Sequence, residues 1–119
     1  MTDGVRVVVT GGRDFDGRGM VDSALGAVQR KHGITALIEG GARGADRLCA
    51  AWAEQNRVPV ERYPANWGEH GKRAGPIRNQ QMIDEGRPDV AVAFPGGRGT
   101  ADMVGRLKAA SIPVWDLRA

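Results

Sequence analysis

Cysteine is almost missing from this chain of 119 residues, with Cys49 its only example. No intramolecular disulfide can form, no cysteine-rich metal site can be built, and a reducing cytoplasm is the expected setting. Histidine is nearly as scarce: His32 and His70 lie far apart in sequence, which speaks against zinc. No metal and no cofactor is expected. Nowhere do about 18 apolar residues follow one another, and the start, MTDGVRVVVT, has neither a basic leader nor a long apolar core, so no membrane association or export is expected. The only serines, Ser23 and Ser111, lack the surroundings of a nucleophile elbow. The formal charge is +3, yet no Lys/Arg run of the length of a nucleic-acid tail appears. That charge suits an anionic small ligand as well as nucleic acid.

Glycine is what the chain has in excess, 18 residues of it, and it is concentrated in loops. A length of 119 residues predicts one domain spanning 1–119, with a single core and no room for a second. The apolar pattern alternates strands and helices. Val5 to Thr10 reads as a strand interrupted only by Arg6, Met20 to Lys31 as an amphipathic helix, and Thr35 to Glu39 as the second strand. Ala45 to Gln55 reads as the second helix and Val58 to Tyr63 as the third strand, an edge strand because of Pro59. Pro64 to Ile77 shows no periodicity and is expected to be a long functional loop, with Trp67, His70, Lys72 and Arg73 placed to cover a ligand. Beyond it, Arg78 to Glu85 reads as a helix, Asp89 to Phe94 as a strand, Thr100 to Ala110 as a helix capped by Thr100, and Ile112 to Trp115 as an edge strand carrying Pro113.

Such alternation implies right-handed crossovers, an open five-stranded parallel sheet of order 3-2-1-4-5, and helices on both faces. Ligands of such sheets bind beyond the carboxyl ends of the strands, near the switch point between strands one and four.

Three of those strand ends carry paired glycines followed by an arginine. After the fourth strand, Pro95, Gly96, Gly97, Arg98, Gly99 and Thr100 lead into a helix, so backbone amides and the helix dipole can face an anion. Arg98 pairs with a phosphate or points to solvent. After the first strand, Gly11 and Gly12 offer amides, Arg13 a guanidinium fork and Asp14 a carboxylate that can accept from ribose hydroxyls, cap a helix or pair with Arg13. After the second strand, Gly40, Gly41, Arg43 and Gly44 are expected to face ligand, and Asp46 falls in the first helical turn, where the dipole favours it in any case.

Arg78 and Asn79 open the helix after the long loop, and Trp67 either stacks on a base or pins its loop. Cys49 is expected to be a packed thiol. A dinucleotide fingerprint would need glycine where Asp102 stands and would follow the first strand, and no Gly-Lys-Ser/Thr closes a Walker loop.

Four blocks taken in order, TGGRDF, GGARGADRLCAAWA, PANWGEHGKRAGPIRNQQM and FPGGRGTADMV, resemble the SLOG superfamily across almost the full chain. It groups SMF/DprA DNA-processing proteins with LOG-type nucleoside monophosphate phosphoribohydrolases, and this chain is similar to its small, single-domain YspA-like branch. The resemblance implies a Rossmann-like three-layer α/β sandwich.

LOG-type hydrolases share an arginine-basic-x-x-Met element, matched here by Arg78, Asn79 and Met82 with asparagine in place of the basic residue. They also share a PGGxGTxxE loop, matched at Pro95, Gly96, Gly97, Gly99 and Thr100, but with Met103 at the glutamate position. Cleaving an N-glycosidic bond builds positive charge on the ribose, which a carboxylate stabilises and a thioether does not. The expectation is a domain that binds or senses a nucleotide-derived ligand, ADP-ribose-like or a nucleoside phosphate. The alternative is a phosphoribohydrolase using Arg78 with Asp102 or Asp14 as acid or base; the third reading is single-stranded nucleic-acid binding. A homodimer is also expected to be within reach of this fold.

Overall fold

Arg6 interrupts an otherwise β-branched run, and the computed structural model, which describes residues 4–118, shows why the strand tolerates it. The β1 strand (Val5–Thr10) lies at the centre of the sheet, and at its amino end the Arg6 guanidinium donates to Gly86 O and to Glu61, satisfied on both sides. The residues that follow alternate between two cores. Val7 and Val9 face one, with Leu37, Val92 and Phe94; Val8 faces the other, with Ile38 and Ala91.

The sheet is parallel throughout and runs β3-β2-β1-β4-β5, with β2 at Ile34–Glu39, β3 at Val60–Arg62, β4 at Val90–Ala93 and β5 at Val114–Asp116. This is the order expected from the alternation. Helices α1 (Arg18–His32) and α2 (Ala45–Gln55) bury Leu25, Cys49 and Trp52 on the Val7 face. Helices α4 (Ala74–Asp84) and α5 (Arg98–Ala109) bury Met82, Met103 and Leu107 on the Val8 face. The result is a Rossmann-like three-layer α/β fold.

Both edge strands are shorter than the sequence pattern suggests, three residues each, and each begins just after its proline. Pro59 and Pro113 lie outside the strands but still accept through their carbonyls, from Leu37 N at 2.8 Å and Ala91 N at 2.9 Å. Lacking a donor, a proline can start a ladder but not continue it.

The expected long loop is largely helical. A short helix, α3 (Trp67–His70), is followed by a 3-10 turn over Gly71–Arg73 and then directly by α4. Asn66 caps α3, its Oδ1 accepting from Glu69 N at 3.0 Å. Pro76 stands in the first turn of α4, where an amide has no helical acceptor to lose. Arg78 and Asn79 therefore sit one turn inside α4 rather than at its start.

Thr100 is likewise inside its helix: the N-cap of α5 is Gly97, and Thr100 is buried in the first turn. Among the described residues no helix is long and apolar enough to cross a membrane.

Candidate functional site

The ends of β1 and β4 bring their loops into contact. Gly12 N donates to Pro95 O at 2.9 Å, and a Cβ on Gly96 would stand 2.6 Å from Gly12 N, so only glycine allows the approach. Phe15 and Phe94, with ring centroids 5.4 Å apart, fix the first loop to the core beneath. The start of α2 closes against the same loop: Ala45 N donates to Gly12 O at 3.1 Å, and Gly44, at φ +77°, packs its Cα on the backbone of Gly12 and Arg13. Gly12, Gly44 and Gly96 are thus glycine because backbones meet there, and Gly11 because a Cβ would strike that of Ala45 at 2.5 Å. Gly97 and Gly99 are different: a Cβ on either would meet nothing within 4 Å.

Above these loops, beyond the carboxyl ends of β1 and β4, lies a cleft of about 580 Å³. Its floor is Thr10, Gly11 and Gly12; one wall is the start of α5, with Gly97, Arg98, Gly99 and Thr100; the other carries Trp67, Lys72, Arg78 and Asn79. Arg13, Asp46, Met82 and Asp102 also line it. Of the residues expected from sequence, Gly40, Gly41 and Arg43 instead line an adjoining hollow with Arg13, Trp67 and Arg78. Asp14 is nearly fully exposed and pairs with Arg43 at 3.3 Å, not with Arg13, and it caps no helix. Pro95, Gly96 and Gly44 support the walls without lining either space. A more open groove of about 620 Å³ between α4 and α5 carries Gln80, Asp84 and Glu85 and no glycine loop.

Two carboxylates at the cleft have opposite surroundings. Asp46, at the start of α2, accepts from Gly40 N at 3.1 Å and Ala42 N at 3.2 Å through Oδ2. Burial pushes its pKa up to about 6, with Glu39 adding to the rise and the loop amides and Arg78 opposing it. Asp102 accepts from Asn79 Nδ2 at 3.0 Å and from Arg106 Nε at 2.8 Å. Burial acts to raise it, but those hydrogen bonds and the Arg106 charge outweigh burial and hold its carboxyl below the usual range.

Asn79 also donates to Gly99 O at 3.2 Å, so it braces the first turn of α5. Arg78 lies across Gly40 and donates to its carbonyl at 2.6 Å. Burial lowers its pKa, Asp46 opposes, and the neighbouring Arg13 charge lowers it further.

Trp67 is half exposed, and the Arg13 guanidinium carbon lies 5.2 Å from its ring centroid. The indole is therefore open toward the cleft rather than sunk in the core.

Met103 is fully buried between α5 and the sheet with Val8, Ile38 and Leu107, and it lines no part of the cleft. Cys49 is fully buried, and burial raises its thiol well above the ordinary range, as a packed and unreactive cysteine should be. Among the described residues no three His, Cys, Asp or Glu side chains converge as metal ligands.

Sequence reasoning missed Glu39. Its side chain is completely buried beneath the second loop, where it accepts from Gly41 N and pairs with Arg62 on the edge strand. A glutamate ending an apolar strand just before two glycines was the available signal, since a carboxylate there meets loop amides.

The family model described as YAcAr, the YspA, cpYpsA-related SLOG family, matches residues 5–70. The chain belongs to that family. It is also similar to the Gene 61 protein of Mycobacterium phage D29, 39% identical over 117 residues that cover 92% of this chain and 93% of the phage protein. Membership of the SLOG family suggests binding or processing of a nucleotide-related ligand. The matched segment ends at residue 70, so it contains the first two glycine loops, while the third loop and α4 lie beyond it.

Proposed function

We propose that this chain binds a nucleotide-derived ligand, a nucleoside phosphate or an ADP-ribose-like compound, at the carboxyl edge of its sheet, and that it does so without cutting it. The observation that carries the reading is the start of α5 at the cleft. That helix end has no side-chain cap and no acidic residue in its first turn, two glycines with open space around them, and Arg98 beside it. Helix N-termini with free amides favour phosphate. Trp67 offers a face on which a base can stack, and Arg13, Lys72 and Arg78 supply positive charge around it.

Met103 supports binding over N-glycosidic cleavage, because the position where LOG-type hydrolases carry glutamate is packed into the core here. Asp102 supports it too: engaged by Asn79 and Arg106, it is held as a carboxylate with little freedom to move a proton.

Calorimetric titration with AMP and ADP-ribose tests the reading, with thermal denaturation alongside. Saturable binding and a raised Tm are expected, and Arg98→Gln or Arg13→Gln should weaken binding by about tenfold while leaving the Tm of the free protein unchanged. Absence of stabilisation across a panel of nucleoside phosphates at millimolar concentration overturns it. Release of adenine from AMP, abolished by Asp102→Asn or Asp14→Asn, would replace binding by hydrolysis.

A further inference from the structure

On the β2 side of Trp67 the main cleft opens into a second hollow of about 320 Å³. Four arginines line it, Arg13, Arg43, Arg47 and Arg78, and Arg13, Trp67 and Arg78 belong to both spaces. Trp67 with Arg13 stacked on it forms the partition between them.

The carboxylates nearby offset the charge of Arg78 only in part and leave the other three arginines largely uncompensated. Glu39 is committed to Arg62 and to the Gly41 amide, and Asp46 Oδ2 to the amides of Gly40 and Ala42. Asp14 reaches only Arg43, at 3.3 Å with both groups largely in solvent, where such a pair contributes little. Among the described residues Arg13 and Arg47 form no ion pair with a carboxylate. Arg13 and Arg78 oppose one another's charge, a repulsion that an anion between them would relieve.

We infer that this hollow is a second anion subsite, and that the complete site takes a nucleotide whose two phosphoryl groups are separated by the nucleoside. One phosphate meets the start of α5 with Arg98; the other lies among Arg13, Arg43 and Arg47; the base or sugar spans the partition on Trp67. The inference rests on the nucleotide reading of the main cleft. It narrows the ligand class from any nucleoside phosphate to one charged at both ends, such as a 3′,5′-bisphosphorylated nucleoside or a phosphorylated dinucleotide.

Calorimetry with AMP, ADP and adenosine 3′,5′-bisphosphate on the full chain and on Arg47→Gln and Arg43→Gln tests it. The bisphosphate should bind at least about tenfold more tightly than AMP at low salt, as expected for added charge-assisted contacts. Arg47→Gln should remove most of that advantage, Arg43→Gln part of it, and AMP and ADP should stay within about twofold of their wild-type affinities. Both arginines are exposed, so an unchanged Tm certifies the fold of each variant.

If AMP binds but the bisphosphate gains nothing, or if the gain survives both substitutions, the second subsite is overturned and the main cleft stands. An equal loss for AMP or ADP in Arg47→Gln overturns the separation of the two phosphates. Binding of none of the three removes the nucleotide reading itself, and the subsite with it.

Discussion

Helices α2 and α5 begin at the same edge of the sheet, both after a glycine-arginine loop, and they are finished in opposite ways. At α2 the N-cap Gly44 presses onto the first loop, Ala45 N is bonded to Gly12 O, and Asp46 in the first turn reaches back to the amides of Gly40 and Ala42. At α5 a Cβ on the N-cap Gly97 would meet nothing within 4 Å, no side chain caps the turn, and no carboxylate sits in it. Both helix ends have positive dipole ends to satisfy. The protein satisfies the first with its own carboxylate and leaves the second facing the cleft. GGARG and GGRG look alike as sequence, yet the helix end after the first is closed by the fold and the helix end after the second faces the cleft.

The sharpest way to break this contrast is to place the same substitution at both N-caps. In Gly44→Ala the new Cβ would stand 2.5 Å from Arg13 O and strike Gly12 O, at a φ of +77° that alanine resists. Denaturant unfolding should show a loss of about 4 kcal/mol or more. Gly97→Ala, with open space for its Cβ, loses only the preference of an N-cap for glycine over alanine and should cost about 1 kcal/mol. Equal effects at the two sites would end the distinction. Next in size is Arg62→Ala, which leaves the fully buried Glu39 carboxylate without its cation and should cost about 3 kcal/mol. Glu39→Gln keeps the shape and one of the two hydrogen bonds, because an amide has a single acceptor oxygen, and it leaves no buried charge behind, so it should cost less in the same measurement.

A pH titration of stability isolates Asp46. Burial raises its folded pKa from 3.8 to about 6, so the native state holds this proton to higher pH than the unfolded chain does. Its contribution is therefore favourable at low pH and is lost as pH rises through about 6. Glu61, through its hydrogen bond with Arg6, and Asp102, against burial through Arg106 and Asn79, are shifted downward, so their stabilisation is present above the unfolded carboxylate values and is lost as pH falls through the lower folded ones. Between pH 6.5 and 4.5 the wild type should gain about 2 kcal/mol from Asp46, and Asp46→Asn should flatten that slope. An unchanged slope would mean that burial at the α2 end does not raise the Asp46 pKa.

Much of this was legible in the sequence, and for physical reasons. Val5 to Thr10 and Ala45 to Gln55 fall where the pattern puts them because burial on a fixed face imposes a period on every residue. The segment 64–77 misled because α3 and the 3-10 turn are too short to display a period, and Gly71 and Pro76 read as breaks although Pro76 is harmless in a first turn. Thr100 looked like a cap because threonine favours that position, whereas the turn starts at Gly97 and buries Thr100 instead. The glycine-arginine loops were visible as a group. Their division of labour was not, because it depends on which backbones approach one another, as at Gly96 and Gly12, and sequence carries no record of that distance.

The smallest stability effect is also the one that separates a glycine kept for the fold from one kept for a ligand. Gly99 lies in the first turn of α5, lines the cleft, and has room for a Cβ. Alanine is the better helix former, so Gly99→Ala should stabilise the free protein by about 0.5 kcal/mol. The hydrogen bond that Asn79 Nδ2 donates goes to the backbone carbonyl of residue 99 and survives. The added methyl group nevertheless stands in the space where a phosphate would approach the turn, and AMP affinity should fall by about tenfold or more, since losing close amide contacts to an anion costs at least 1.4 kcal/mol or so. Thermal denaturation and calorimetry on one preparation read both quantities. A rise in Tm with a loss of affinity assigns this glycine to the ligand; a rise in Tm with affinity unchanged moves the phosphate away from α5, and the contrast between the two helix ends would then need another cause.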